Sequence, residues 1–412
     1  IFANPNYPGV TGFEKSSPLA LNTLWLPPVT LEPTSIPPPY DFSIQTEWPN
    51  NKDPYNQQWT LDVQYQLTPS MMLDMGYVGG HALNLPYQWY FNEASLPQVA
   101  GDACNGILDR SLASAACLAD PNFQPVDTRI PFPNLSAASY ANANILWSNY
   151  NSLQVRFQKR FSQGLQFNAN YTWSRAFDIG SEIAQFGGQN ANFVQNSFDL
   201  AGDYGPAAFD QPQRFVLSYL YEDPIGKGRK YDLGRANWIL GGWETSGIVT
   251  VASGLPFSVS CCPRSNPINQ YGNIFGNVIR ANLVGNANSG GQSVLQWFNP
   301  SAFAVPEVGR LGDVSRDSLR STAVHEGDIS FMKNFQITER HALQYRLDIF
   351  NVFSSRYAFP HFPNAVVESS PTSCTPGPAG NCAFGSLVGL NGLGALNLWN
   401  PRILQMSLRY SF

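Results

Sequence analysis

Apolar and polar residues alternate along many long segments of the chain. In the segment QWTLDVQYQL, the apolar residues Trp59, Leu61 and Val63 alternate with the polar residues Thr60 and Asp62. Successive side chains of a β-strand point to opposite faces, so a period of two predicts a strand with one apolar and one polar face. The same pattern predicts strands at 57–67, 71–79, 151–161, 165–174, 213–222, 240–252, 328–337, 342–353 and 402–412.

The lengths of these predicted strands favour a membrane protein. Strands of soluble proteins average about 5–6 residues, whereas strands that cross a bilayer at a tilt need about 9–11. The polar faces carry mainly Asn, Gln, Ser and Arg, as a water-filled lumen requires. A soluble β-sandwich shows the same alternation, however, so the polar face alone does not decide between the two.

Short and long connections alternate between the predicted strands. The short links are 68–70, 162–164 and 338–341, with a longer one at 223–237, and the long links are 80–149, 175–212, 253–327 and 354–400. Loops longer than about 12–15 residues are uncommon in compact soluble domains, but outer-membrane barrels have long extracellular loops and short periplasmic turns. The predicted fold is therefore all-β, an antiparallel transmembrane β-barrel, with its last strand running toward the periplasm.

Aromatic residues at the strand ends agree with this fold, because rings collect at both membrane interfaces. The expected outer set is Trp59, Tyr77, Trp173 and Phe353, and the expected inner set is Phe161, Tyr221, Phe335 and Phe412.

Two lysines occupy positions on the apolar, outward-facing side of their predicted strands. Lys159 lies near an inner strand end and can snorkel. Lys333 lies in mid-strand, where a cation facing lipid costs about 2–4 kcal/mol, and it predicts either a displaced strand or a bulge.

Composition narrows the function classes. Charged residues make up 13% of the chain and aromatic residues 13%, with 34 Gly and 32 Pro. The charged share is about half that of an ordinary soluble domain. The net charge is −5 and no dense run of Lys or Arg occurs, so nucleic-acid binding is not expected.

Two pairs of cysteines lie close together in segments rich in small residues. Cys104 with Cys117, and Cys374 with Cys382, predict local disulfides in an oxidising compartment, with free thiols as the alternative. Cys261 and Cys262 are adjacent, which leaves open a vicinal disulfide or two separate partners.

The sequence contains no recognisable catalytic or metal-binding motif. The four histidines lack metal-ligand spacing, and HExxH, GxSxG and Walker motifs are absent, so neither an enzyme nor a cofactor is expected. The carboxylates of Asp199, Asp203 and Asp210 could gather on calcium, although turn formation is the more ordinary role. The lumen-facing candidates, which either balance one another's charge in the wall or contact a plug or substrate, are Arg156, Arg346, Asp348 and Arg409.

Five stretches, covering about a third of the chain, carry a family resemblance. They are 149–178 (NYNSLQVRFQKRFSQGLQFNANYTWSRAFD), 203–228, 240–259, 328–359 and 401–412. In these stretches the chain resembles the C-terminal part of TonB-dependent outer-membrane receptors, specifically the Oar-like type with a carboxypeptidase-regulatory-like N-terminal domain. The end of the chain is also similar to the signal that the barrel-assembly machinery recognises, here Leu408, Tyr410 and Phe412.

The resemblance implies an outer-membrane transporter of a Gram-negative cell. Its barrel segment would serve energised uptake of a large nutrient, such as a glycan, peptide or metal chelate, bound by the outer loops. The TonB complex would act through a plug that this chain does not contain. The implied partners are thus the lipid bilayer, the TonB complex, the barrel-assembly machinery and an unknown ligand.

The chain departs from the family in its strand number and in the missing plug. Nine strands is an odd number, and bacterial single-chain barrels are even, so residues 57–412 are predicted to be the C-terminal part of a larger barrel. Residues 1–56 are predicted to form an outer loop or one extra strand. Two alternatives remain: a secreted soluble β-rich adhesin or lectin-like protein, and a passive outer-membrane pore.

Overall fold

The computed structural model describes most of residues 44–353 and all of 401–412. The gaps are 103, 105–112, 126–127, 133–134, 136–138, 182–193, 262–278, 291, 294–295, 308 and 339, and residues 366–367 and 384 are also described. Most of the predicted N-terminal segment 1–56 lies outside the described residues, apart from its end, which includes the short strand Gln45–Glu47.

One large sheet dominates the described chain. Its nine long strands are β1 (Tyr55–Thr68), β2 (Met71–Trp89), β3 (Tyr140–Ser162), β4 (Leu165–Asp178), β5 (Gln213–Glu222), β6 (Trp243–Ala252), β7 (Val324–Gln336), β8 (Ala342–Phe350) and β9 (Ile403–Ser411). Each strand pairs antiparallel with the next, so their spatial order equals their chain order. Gln45–Glu47 joins β3 in parallel, and Gly205–Pro206 joins β4.

Tight turns at one end connect neighbouring strands. Between β3 and β4, Gln163 and Gly164 both have positive φ, at 54° and 77°. Two consecutive positive φ angles define the type of hairpin turn whose twist matches that of the flanking strands. A Cβ atom on Gly164 would lie 2.8 Å from the carbonyl oxygen of Glu222, so the position also needs glycine for space.

Two strands reach much farther than their alternation predicts. β2 continues to Trp89 and β3 begins at Tyr140, so the segment between them runs over 90–139 instead of the predicted 80–149. The register shifts twice in the added part, next to Leu85, and Asn84 has a φ of 55°. Bulges of this kind shift the alternation of side chains, which explains why the sequence pattern stops short.

Smaller differences affect other strand ends, including that of β4, which continues to Asp178. β6 begins at Trp243 because residues 237–240 form a helical turn, β7 already begins at Val324, and β8 ends at Phe350. The remaining short strands are Pro256–Phe257 with Leu319–Arg320, Ser260–Cys261 with Val366–Val367, and Asn282–Leu283 with Phe303–Ala304.

The pairing register places apolar residues beside apolar residues, and polar residues beside polar residues, on neighbouring strands. One row of apolar partners runs through β1 to β6: Val63, Met75, Val155, Tyr171, Phe215 and Val251. The neighbouring row on the opposite face is polar over its first four strands: Gln64, Asp74, Arg156 and Asn170. The sheet therefore has one apolar face and one mainly polar face.

The apolar face has no second layer against it in the described part of the chain. Leu61 is 66% exposed and Met406 67% exposed. The hydrophobic clusters lie elsewhere: one in the long connections around Val259 and Phe298, and one around Tyr87 and Ile179, where the far ends of β2 and β3 meet the connections. A water-soluble sheet would bury such rows, since buried apolar surface contributes roughly 25 cal/mol per Å².

The first and last strands do not pair with each other, so the described sheet is open. β1 and β9 are exposed along their whole length. Helical elements are short, namely Ala115–Ala119, Asn237–Leu240 and the 3-10 turns Leu200–Asp203, Gly234–Ala236 and Pro300–Ala302. None of the helices in the described residues is long and apolar enough to cross a membrane.

Candidate functional site

A groove of about 300 Å³ crosses the polar face between β5 and β8. Its lining combines the polar side chains of Ser218, Ser246, Asp328, Ser330 and Asp348 with the apolar or aromatic ones of Tyr219, Ile248, Ile329, Ile349 and Phe350. Ser330 pairs in register with Ser246 on one side and with Asp348 on the other, so the three stand in a row across β6, β7 and β8. The groove forms because the short serine side chains leave space between the strands.

The groove contains a charged cluster. Arg346 Nε donates to Asp348 Oδ1 at 2.8 Å, and the Ser330 hydroxyl donates to the same carboxylate oxygen. Arg346 Nη2 lies 3.4 Å from Ser330 Oγ. Asp328 Oδ1 accepts a hydrogen bond from the backbone nitrogen of Asn351 at 2.9 Å. These carboxylates and hydroxyls can hydrogen-bond a polar ligand.

The four predicted lumen residues do not form one site. Arg346 and Asp348 come together on β8. Arg156 lies on β3, with four strands between, and donates to Asn168 and Gln158. Arg409 lies on β9 opposite Gln344. Asp328 was missed as a candidate, although its parity in DISFMKNFQI places it on the same polar face.

Buried ion pairs hold the long connections together at the other end of the sheet. Arg316 forms an ion pair with Asp178 and donates to the carbonyl oxygen of Asp203 at 2.8 Å. Arg280 pairs with the carboxylate of Asp203. Arg316 is 1% exposed. No sequence pattern indicates this layer, because its partners lie far apart in the chain.

The three aspartates considered for calcium have separate partners. Asp203 pairs with Arg280, Asp210 pairs with Arg320, and Asp199 accepts from the backbone nitrogen of Gly202. Among the described residues, no three His, Cys, Asp or Glu side chains stand close enough to hold a metal ion.

Asp317 belongs to the same buried layer. Burial raises the pKa of Asp317 to about 6, against the opposing effects of the Arg316 guanidinium and of a hydrogen bond from Ser258. The Ser258 hydroxyl donates to the Asp317 carboxylate at 3.0 Å. This carboxyl group therefore titrates closer to neutral pH than an ordinary aspartate.

Cys104 and Cys117 form a disulfide in the structure. Cys261 is also disulfide-bonded and is fully buried. Cys262, Cys374 and Cys382 lie outside the described residues, so the predicted pairing of Cys374 with Cys382 stays a prediction.

Lys333 does not face lipid in mid-strand, because a neighbouring segment covers it. Its ammonium group donates to the carbonyl oxygens of Ile239, at 3.0 Å, and of Gly241. It also lies over the rings of Trp243, at 5.5 Å, and Phe335, at 4.9 Å. Its register partner Trp243 is the first residue of β6, so Lys333 lies near the inner strand ends. The lysine is thus displaced toward the interface, without a bulge.

The other outward-facing lysine and most of the predicted interface aromatic residues also lie within the described chain. Lys159 is near the end of β3 and donates to Ser162 Oγ at 3.1 Å. Seven of the eight aromatic residues predicted for the two membrane interfaces are exposed, and Phe335 is half-buried: the exposed ones are Trp59, Tyr77, Trp173, Phe353, Phe161, Tyr221 and Phe412. The predicted assembly signal forms the end of the chain, with Leu408 and Tyr410 on β9 exposed and Phe412 92% exposed.

Comparison with known proteins identifies the class of protein. A family model described as outer membrane beta barrel domain matches residues 2–388, and the chain belongs to this family. It is therefore an antiparallel β-barrel protein of the outer membrane. No curated protein sequence matches significantly.

Among solved structures, the chain is similar to the outer membrane transporter YddB from Escherichia coli. The two are 11% identical with a TM-score of 0.38, and the match covers 90% of this chain and 34% of that chain. This chain thus spans about a third of the length of that transporter.

Proposed function

We propose that the chain is the barrel segment of a TonB-dependent transporter that takes up a large polar nutrient across the outer membrane. The observation that carries this proposal is the groove on the polar face, in a sheet whose opposite face is apolar and exposed. The resemblance of residues 149–178 and 328–359 to Oar-like receptors supports the same assignment.

The open sheet fits a segment of a larger barrel. An unpaired strand edge in a bilayer leaves its backbone amides and carbonyls without partners, which lipid penalises by several kcal/mol per group. The exposed edges of β1 and β9 therefore need further strands, and we propose that these belong to the rest of the transporter. The plug through which TonB acts would lie in the same larger protein.

The polar side chains of the groove support the proposed ligand class. Asp328, Asp348 and three serines offer acceptors and hydroxyl groups, which suits a ligand rich in hydrogen-bond donors such as a glycan, a peptide or a chelate. The lining of this groove, all of it within the described chain, contains no histidine to activate a serine, so we propose binding and not catalysis.

Uptake by cells tests the proposal. Cells that express the complete protein are given a fluorescent oligosaccharide, oligopeptide or iron chelate, with and without a protonophore. We expect one probe to enter only while the proton-motive force is intact. Entry that persists after the protonophore would identify a passive pore and overturn the energised mechanism.

Groove variants sharpen this test. Asp348→Asn keeps the size of the side chain and removes its charge, so we expect uptake of the imported probe to fall at least several-fold at unchanged surface levels. Gln344→Ala, on the same face of β8 but outside the groove lining, is the matched control and should leave uptake unchanged. Equal uptake by both variants would remove the groove from the transport path.

A further inference from the structure

The connection between β5 and β6 is an ordered surface segment. Residues 227–241, here called the interfacial segment, are held by a bridge between Ile225 and Tyr231 and by the Asp232 carboxylate. Asp232 accepts from the backbone nitrogen of Gly234 at 2.9 Å and from Asn237 Nδ2 at 2.6 Å. These hydrogen bonds lower the pKa of Asp232 and fix the turn that begins the helical stretch Asn237–Leu240.

The interfacial segment exposes a cluster of large apolar side chains. Trp238 is 66% exposed, Ile239 61% and Leu240 52%. Tyr231 and Leu233 add exposed surface beside them. Contiguous apolar surface of this kind marks a site of contact with a membrane or a protein.

The segment is attached to the apolar side of the sheet. Lys333, which shares the outward parity of β7, donates to the carbonyl oxygens of Ile239 and Gly241. The Trp238 ring packs against Phe335 with centroids 5.5 Å apart, and Phe335 belongs to the apolar face. The exposed cluster therefore continues the lipid-facing surface at the end of the sheet that carries the short turns.

Basic residues accompany the apolar cluster. Within the interfacial segment, Lys227, Arg229, Lys230 and Arg235 stand against a single acidic residue, Asp232, in a chain whose net charge is −5. All four cations are exposed. Arg229 pairs with Glu222 at 3.1 Å, and Lys230 lies over the Tyr231 ring at 5.3 Å. Within the described chain Lys227, Lys230 and Arg235 form no ion pair, so they are the cations that an external anion can reach. Apolar rings beside exposed cations are the pattern of a segment that lies in a membrane interface.

We propose that the interfacial segment is an anchor that binds anionic phospholipid at the inner boundary of the membrane. Trp238, Ile239 and Leu240 insert below the headgroups, and Lys227, Lys230 and Arg235 contact the lipid phosphates. Lys333 holds the segment flat against the barrel wall. This anchor goes beyond the proposed transport function and does not depend on it.

Hydrogen–deuterium exchange of the full chain in lipid vesicles tests the anchor. The chain is reconstituted in phosphatidylcholine alone and in the same lipid with about one part in three phosphatidylglycerol. We expect amides of 227–241 to exchange at least about fivefold more slowly with the anionic lipid, since each of the three basic side chains near an anionic surface contributes about a factor of five in affinity.

Two triple variants make the result specific. Lys227→Gln with Lys230→Gln and Arg235→Gln should lose the response to phosphatidylglycerol, while Lys227→Arg with Lys230→Arg and Arg235→Lys should keep it. Exchange in β3 and β4 serves as the internal standard for folding. Equal exchange in the two lipids, or an equal response in both variants, would overturn the anchor and leave the transport proposal untouched.

Discussion

The ammonium group of Lys333 lies 3.0 Å from the carbonyl oxygen of Ile239, a residue of the connection between β5 and β6. This contact explains how a cation is tolerated on the apolar face of β7. The carbonyl groups at the end of a helical turn carry partial negative charge, and a lysine placed there is stabilising. The contact also sets the position of the connection on the barrel wall.

Replacing Lys333 should loosen this connection. In Lys333→Met, the carbonyls of Ile239 and Gly241 lose a charged donor, so we expect trypsin to cleave after Lys227 or Lys230 several-fold faster in detergent. Lys159→Met is the control, because Lys159 donates to Ser162 on a different hairpin. Equal cleavage rates in the two variants would show that Lys333 does not hold the segment.

Replacing Arg316 should destabilise the outer loop layer. Arg316→Met leaves the Asp178 carboxylate buried without its partner, and breaking a buried pair in this way costs about 3–5 kcal/mol. Thermal unfolding in detergent, monitored by loop proteolysis, measures the loss. Arg175→Met is the matched control, since the half-exposed Arg175 lies 3.7 Å from the buried Asp210, which keeps its closer partner Arg320, and we expect this change to cost at most about 1 kcal/mol.

A double variant separates charge from packing at this site. Arg316→Met with Asp178→Asn removes both charges and should recover part of the lost stability. If the double variant is less stable than Arg316→Met alone, the loss does not come from an unpaired carboxylate.

The stability of the loop layer should depend on pH through Asp317. Burial raises the pKa of Asp317 to about 6 in the folded protein, above its value of about 4 in an unfolded chain. The folded state then binds the extra proton between these values, so the free energy of unfolding falls as pH rises from about 4 to 6, by up to about 3 kcal/mol.

Asp317→Asn tests this dependence. The amide oxygen still accepts from Ser258 but does not titrate. The unfolding midpoint of the variant should therefore change less between about pH 4 and about pH 6, the ends of this window, than that of the native chain. An identical pH dependence in both proteins would contradict the assignment of the raised pKa to Asp317.

Changing the last residue should impair assembly. Phe412 is 92% exposed and completes the apolar alternation of β9. Phe412→Glu places a charge in the predicted assembly signal, so we expect surface levels in cells to fall severalfold. Phe412→Tyr keeps the ring and is the control. Normal surface levels of Phe412→Glu would contradict the role of this residue as a signal.

Alternation located the nine strands because it reports which face each side chain occupies, and that face is fixed by contact with lipid or water. It did not predict the second half of β2 or the first half of β3, where bulges near Leu85 shift the register. It could not find the pairing of Arg316 with Asp178, because nothing in the sequence near either residue indicates its partner. The environment of Lys333 could not be predicted either, because the segment that covers its side chain belongs to a separate connection.

The central claim is that the apolar rows of the sheet face lipid and the polar rows face a lumen. Val155 and Gln154 are neighbours on β3 with side chains on opposite faces. The free energy of folding into vesicles is measured for Val155→Arg and Gln154→Arg. We expect Val155→Arg to cost about 2–4 kcal/mol and Gln154→Arg to cost less than about 1 kcal/mol. Equal costs, or a larger cost for Gln154→Arg, would contradict the claim.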